Sequence, residues 1–133
     1  MKISAKIKST FNNQETVVQT NDSAKEMQIS VKSTGFGSSI NGGEFLLLSL
    51  ATCFCNDVYR EAARRKMNIS SVDVKVSGEF GKEGEPGKNI MYDVKIQSSE
   101  SSQEEIAELI NHVDRIAEIH NTLRKGVSVS LKI

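Results

Sequence analysis

Tryptophan is absent from this 133-residue chain, proline occurs once, cysteine twice, and aromatic side chains make up only 5%. Two cysteines one residue apart, Cys53 and Cys55, cannot build a disulfide framework. The fold must therefore come from burial alone, and a cytoplasmic, reducing setting is expected. Neither sign of charge is in excess: 17 basic and 17 acidic residues give a formal net charge of zero. That balance argues against an electrostatic nucleic-acid or membrane-surface binder. No apolar run approaches the roughly 20 residues that cross a bilayer. The opening MKISAKIKST lacks the apolar segment of a secretory signal. What is present, 38% hydrophobic and 26% charged residues, is a globular composition with enough chain for one core. A single domain over residues 1–133 is expected.

The residue pattern divides cleanly. In 2-KISAKIK-8, Ile3, Ala5 and Ile7 alternate onto one face, as in a half-buried strand. A second short strand, 15-ETVVQT-20, follows the polar turn Asn12-Asn13, and 26-EMQISVK-32 alternates again through Met27, Ile29 and Val31. The stretch 33-STGFGSSINGG-43 carries four glycines and four hydroxyl residues, and reads as a functional loop. Its glycines, 35, 37, 42 and 43, serve tight turns and spell no phosphate-binding motif.

Helical spacing then runs from about residue 44 to 66, through Leu46, Leu47, Leu50, Cys53, Phe54, Asp57 and Val58. Glu44 sits in the first turn; Arg64, Arg65 and Lys66 close the helix, as its dipole favours. Strands 72-VDVKVSG-78 and 90-IMYDVKIQ-97 are joined by the turn 81-GKEGEPGK-88 as a hairpin. Ser102 and Glu105 fit a capping box for a second helix lined by Ile106, Leu109, Ile110, Val113 and Ile116. A break falls near 117-AEIHNTL-123, and 127-VSVSLKI-133 closes the chain as a strand. The expected class is α+β, in the order β-β-β-α-β-β-α-β with a long central helix. That helix is leucine-rich and needs cover on more than one side, which a partner subunit could supply.

At 100° per residue, Cys53 and Cys55 lie about 200° apart and cannot face one site. Cys53 shares a stripe with Leu46, Leu50 and Asp57; Cys55 shares one with Ala51, Tyr59 and Ala62. Two uses of the thiols stay open. Free cysteine is among the most buried residue types and serves packing. A reactive cysteine needs a cation or a helix N-terminus to hold its thiolate, and Cys53 lies about three turns inside its own helix.

The segment 44-EFLLLSLATCFCNDV-58 resembles the central helix of the OsmC/Ohr superfamily, named for osmotically inducible protein C and organic hydroperoxide resistance protein. The following 68-NISSVDVKVSGEF-80 is similar to that family's next strand, and 117-AEIHNTLRKGVSVSL-131 to its second motif. The resemblance implies an obligate, intertwined homodimer, two long helices packed between sheets, and thiol-dependent reduction of organic hydroperoxides. It places Cys53 as the attacking cysteine and Ala117 where the family has its resolving cysteine. The family's helix-start glutamate falls on Gly43, so that Glu44 could serve only by a shift. No arginine precedes Arg60, so the family's N-terminal arginine has no counterpart. Lys2, Lys6, Lys8, Lys25 and Lys32 offer charge without a bidentate fork.

Other constellations are weaker. His120-Asn121 with Cys53 would make a Cys-His-Asn hydrolase set only if the amide stood behind the imidazole. His112 reads as a boundary residue of the second helix, and 64-RRK-66 as a solvated helix end. Two cysteines and two histidines lack zinc-site spacing. The reading is a peroxide-handling homodimer with Cys53 as nucleophile, Glu44 as its helper and an external thiol as reductant. Phe36, Leu50 and Asp57 would line the pocket for a hydroperoxide or apolar ligand. No cofactor, metal, nucleic acid or membrane is expected. The alternative is a non-catalytic small-ligand-binding homodimer of the same fold.

Overall fold

The computed structural model describes all 133 residues. Strands β1 (Ile3–Thr10), β2 (Asn13–Thr20) and β3 (Ser23–Met27) are followed by helix α1 (Gly42–Arg64). Strands β4 (Ser71–Glu79) and β5 (Lys88–Gln97) come next, then helices α2 (Gln103–Ile116) and α3 (Glu118–Lys125). Contacts group the chain into two units, Met1–Phe45 and Leu46–Ile133. No helix is long and apolar enough to cross a membrane.

The first unit is an antiparallel meander, β1-β2-β3. Its registers, Thr10 opposite Asn13 and Thr20 opposite Ser23, leave two-residue turns. Each turn holds one asparagine in the left-handed region, Asn12 at φ 56° and Asn21 at φ 51°, a conformation asparagine tolerates better than most residues. The second turn corrects the expected strand over 26–32. Asn21-Asp22 reverses the chain early, so β3 starts at Ser23 and ends at Met27. Val31 keeps only an isolated bridge to Ser38. The glycine loop folds back on the first turn: Asn12 N–H donates to Gly35 O at 2.7 Å, and Phe36 packs on Phe11 with ring centres 5.2 Å apart. Gly35, at φ +88°, has no room for a side chain, because a Cβ there would lie 2.5 Å from the Phe11 ring. The alternating residues Ile3 and Ile7 of β1 are exposed.

Helix α1 opens on a reciprocal cap. Asn41 N–H donates to the Glu44 carboxylate at 3.0 Å, and Glu44 N–H donates to Asn41 Oδ1 at 2.8 Å, which satisfies donors left over at a helix start. The helix closes with Lys66 at φ 57°, while Lys66 and Met67 N–H donate to Ala63 and Ala62. That is the Schellman pattern with lysine where glycine is usual.

The second unit packs α1 and α2 on the β4-β5 hairpin. Phe54, Val58, Ala62, Leu109 and Val113 form the buried core, and Val72, Val74, Tyr92, Val94 and Ile96 of the hairpin lie against it. The inward residues of each strand alternate as the sequence requires. At Gly78, beside a register shift, a Cβ would lie 3.1 Å from Ile90 and 3.6 Å from Leu47. Glycine there lets the helix approach the sheet. The capping box of α2 is formed as expected: Ser102 N–H donates to Glu105 Oε2 at 2.8 Å and Glu105 N–H to Ser102 Oγ at 3.2 Å. Buried Glu61 ties α1 to α2, meeting Arg60, Arg64 and His112 at 3.0, 2.8 and 3.2 Å.

The C-terminal end departs from expectation in two ways. The break at Ala117 introduces a third helix, α3, in place of a loop. Residues 127–133 make no strand within the chain; Val127, Val129, Leu131 and Ile133 are all exposed. Alternation marks a segment able to join a sheet, but a strand needs a neighbour with free backbone groups.

Phe54 is wholly buried where the hairpin meets α1 and α3. Phe54→Ala should lower unfolding free energy by about 3–5 kcal/mol, read from urea midpoints. A loss under about 1 kcal/mol would mean that this ring does not hold the helix to the sheet.

Candidate functional site

The two cysteines face different surroundings, as their spacing demands. Cys55 lines a hollow with Ala51, Thr52, Asn56 and β4 residues Val72, Asp73 and Val74. Cys53 is half-buried and faces the junction of α2 and α3. The position that the resemblance assigns to a resolving cysteine, Ala117, is that junction, fully buried at the end of α2.

Five influences compete at the Cys53 sulfur. Burial pushes its pKa up most. The backbone N–H of Ile119, just inside α3, donates toward the sulfur and pulls it down, with a smaller contribution from Glu118 N–H. The carboxylates of Asp57 and Glu118 push it up again. The net result lies above the ordinary thiol value. The thiol donates weakly to Asp57 Oδ2 at 3.9 Å, a bond that only the protonated sulfur can make. No lysine or arginine side chain is among the groups acting on it. Arg60 is engaged by the other carboxylate oxygen: its Nη1 meets Asp57 Oδ1 at 2.6 Å.

The sulfur and carboxylate oxygens of Asp57 and Glu118 lie within 4.8 Å of one another. Three such atoms could share a cation, but they mix a soft donor with hard ones, and Arg60 already neutralises Asp57.

The other expected residues are distributed as follows. Asp57 is buried beside Cys53. Leu50, also buried, lines a separate cavity with Tyr92 and His120. Glu44 lies nine residues before Cys53 on α1, with its carboxylate engaged at Asn41. Phe36 packs on Phe11 in the first unit.

The Cys-His-Asn hydrolase set is not assembled. His120 has both ring nitrogens unpaired, and the Asn121 amide donates to Arg115 O at 2.9 Å. The amide therefore cannot orient the imidazole.

A polar cluster that sequence reading missed joins Tyr92, Asp114 and Arg124. The Tyr92 hydroxyl donates to Asp114 Oδ1, and Arg124 Nη2 donates to the same oxygen at 2.6 Å. Burial first, then Asp114, pushes the Tyr92 phenol up to about 12. The Tyr92 bond and Arg124 hold Asp114 below the usual carboxylate range. These residues sit on different elements, so no local spacing could reveal them.

Neutralising one of the carboxylates near the sulfur should favour thiolate. Glu118→Gln, an exposed change, is expected to speed alkylation of Cys53 near neutral pH by about two- to fivefold. The rate is measured with iodoacetamide on a Cys55→Ser background. An unchanged or slower rate would remove Glu118 from the sulfur's electrostatics.

Comparison with known proteins agrees with this fold. The family model described as OsmC-like protein matches residues 35–132. Among curated proteins no sequence match is found. Among solved structures, an OsmC-like protein from Mycoplasma pneumoniae is 21% identical with TM-score 0.63, over 92% of this chain and 86% of that one. The organic hydroperoxide resistance protein OhrB of Bacillus subtilis is 14% identical with TM-score 0.56, over 99% and 97%. A hydroperoxide resistance protein from Legionella pneumophila is 16% identical with TM-score 0.57, over 93% and 90%. The mixed α+β order, the long α1 and the match across most of the length place this chain in the OsmC-like protein family.

Proposed function

We propose that this chain is a thiol-dependent, peroxide-handling protein in which Cys53 reacts alone. The observation that carries this reading is the half-buried Cys53 sulfur facing the Ile119 and Glu118 amides at the start of α3. Names of structural relatives with the same fold point to organic hydroperoxides. The chain is proposed to work as one domain, within a homodimer in the cytoplasm.

In the proposed reaction the Cys53 thiolate attacks the terminal oxygen of a hydroperoxide. The O–O bond breaks, the alkoxide leaves and takes up a proton to become an alcohol, and the sulfur becomes a sulfenic acid. An external thiol then displaces water to give a mixed disulfide. A second external thiol releases Cys53 and leaves as the oxidised disulfide. Atoms and electrons balance as one hydroperoxide and two thiols giving alcohol, water and one disulfide. Ala117 at the junction offers no internal sulfur for this last stage. Leu50, Phe36 and Glu44 are proposed as peripheral to the chemistry, and Asp57 as a brake on it. Because the Cys53 pKa lies above the ordinary value, thiolate is scarce at neutral pH, and the rate climbs as pH rises toward that pKa.

The homodimer is supported by apolar residues with nothing over them: Ile3 and Ile7 on β1, and Val129 and Leu131 in the tail. Sedimentation should give twice the 14.6 kDa chain mass; a monomer would contradict this part.

A second reading, a non-catalytic small-ligand binder, is favoured by the burial that raises the Cys53 pKa most and by the carboxylates of Asp57 and Glu118 that add to it. The test is cumene hydroperoxide with dimedone trapping, at several pH values. Expected is sulfenic acid on Cys53 ahead of Cys55, faster at higher pH, and lost in Cys53→Ala. Equal, slow thiol loss in wild type and Cys53→Ala would leave the binder.

A further inference from the structure

A cavity of about 260 Å³ lies between α1, β5 and α3, and Cys53 does not line it. Leu50, Ile90 and Leu123 form its apolar walls, and Lys88, His120 and Arg124 supply its charged and polar groups. His120 is the anomaly. It is 5% exposed, and neither ring nitrogen has a hydrogen-bond partner. Phe54 and Tyr92 hold the ring edge-on at 5.7 and 4.8 Å, contacts that fix its place without satisfying its N–H. Native interiors rarely leave such a group unpaired, so one that borders a cavity marks a place for a ligand atom.

The charges around His120 decide which ligand. Tyr92 on β5, Asp114 on α2, Asp57 on α1 and Arg124 on its own helix act on it. Asp114 is occupied by Tyr92 and Arg124, and Asp57 by Arg60. Lys88 forms no ion pair, so the unbalanced charge at the cavity is positive. We propose that this cavity binds a small carboxylic acid as its anion, the head between Lys88 and His120 and a short aliphatic tail against Leu50, Ile90 and Leu123. The volume sits below the roughly 300–1,000 Å³ of drug-sized sites, which sets the tail as short. The proposal is independent of Cys53 chemistry.

Burial, then Arg124, holds the His120 pKa low. A bound carboxylate favours the imidazolium and raises it. Binding therefore takes up a proton and tightens as pH falls through the imidazole's titration in the complex, until the acid itself takes up a proton near about 4.

The test is an NMR titration of the full chain with hexanoate. Hexan-1-ol, a tail without charge, and acetate, a head without a tail, serve as comparisons. Hexanoate should give saturable shifts at Leu50, Ile90, His120 and Leu123, with both comparisons weaker by about tenfold or more. Lys88→Gln should weaken hexanoate by about tenfold, and His120→Phe should remove the pH dependence. No saturable shift, equal binding of hexan-1-ol, or wild-type affinity in Lys88→Gln would overturn the proposal. Lys88 is exposed, so that arm decides the matter even where His120→Phe does not fold. The readout is binding alone, so failure here leaves the thiol reading standing, and the reverse holds as well.

Discussion

Burial of one aromatic ring sets the geometry of the second unit. Phe54 is fully enclosed, with ring centres 5.0 Å from Tyr92 on β5 and 5.7 Å from His120 on α3. Its position fixes the rotation of α1 about its own axis. Once that rotation is fixed, the neighbour on one side, Cys53, must face the α2-α3 junction, and Cys55 must face β4. The same ring presses His120 into a dry setting beside the cavity. Two distinct features, a thiol under helix amides and an imidazole without partners, thus follow from a single packing decision.

The thiol shows how opposed effects of similar kind are resolved. Amide N–H groups at the start of α3 favour the thiolate, as helix N-termini do. Burial and two carboxylates oppose them, and their combined effect is the larger. Arg60 does not reverse it: its guanidinium is bound to Asp57 Oδ1, while the thiol meets Asp57 Oδ2. The OsmC-like frame is kept, and the charged groups of this chain that act most on the Cys53 sulfur are the carboxylates of Asp57 and Glu118.

Much of the frame was legible in the residues. Strict alternation over 72–78 and 90–97 became β4 and β5, helical spacing became α1, and Ser102 with Glu105 formed its capping box. Local patterns of this type need no knowledge of distant neighbours. Alternation misled where it outran its support. Met27 ends β3 because the Asn21-Asp22 turn comes early, and the tail from Val127 pairs with no strand of this chain. Cys53 and Asp57 were brought together because they share a helix face. Glu118, the Ile119 amide and the Tyr92–Asp114–Arg124 cluster could not be anticipated, since tertiary folding alone unites them. His120 was noticed for the wrong reason: its neighbour in sequence, Asn121, turns away, and its significance lies in lacking any partner.

The central claim is that Cys53 is a sulfur held protonated by its surroundings, so that any peroxide chemistry is slow at neutral pH. Ultraviolet thiolate absorbance followed against pH, in a Cys55→Ser chain, measures this directly. The account predicts a midpoint above the ordinary cysteine value of about 8.5. A midpoint at or below about 7, the range of activated thiols, would contradict it.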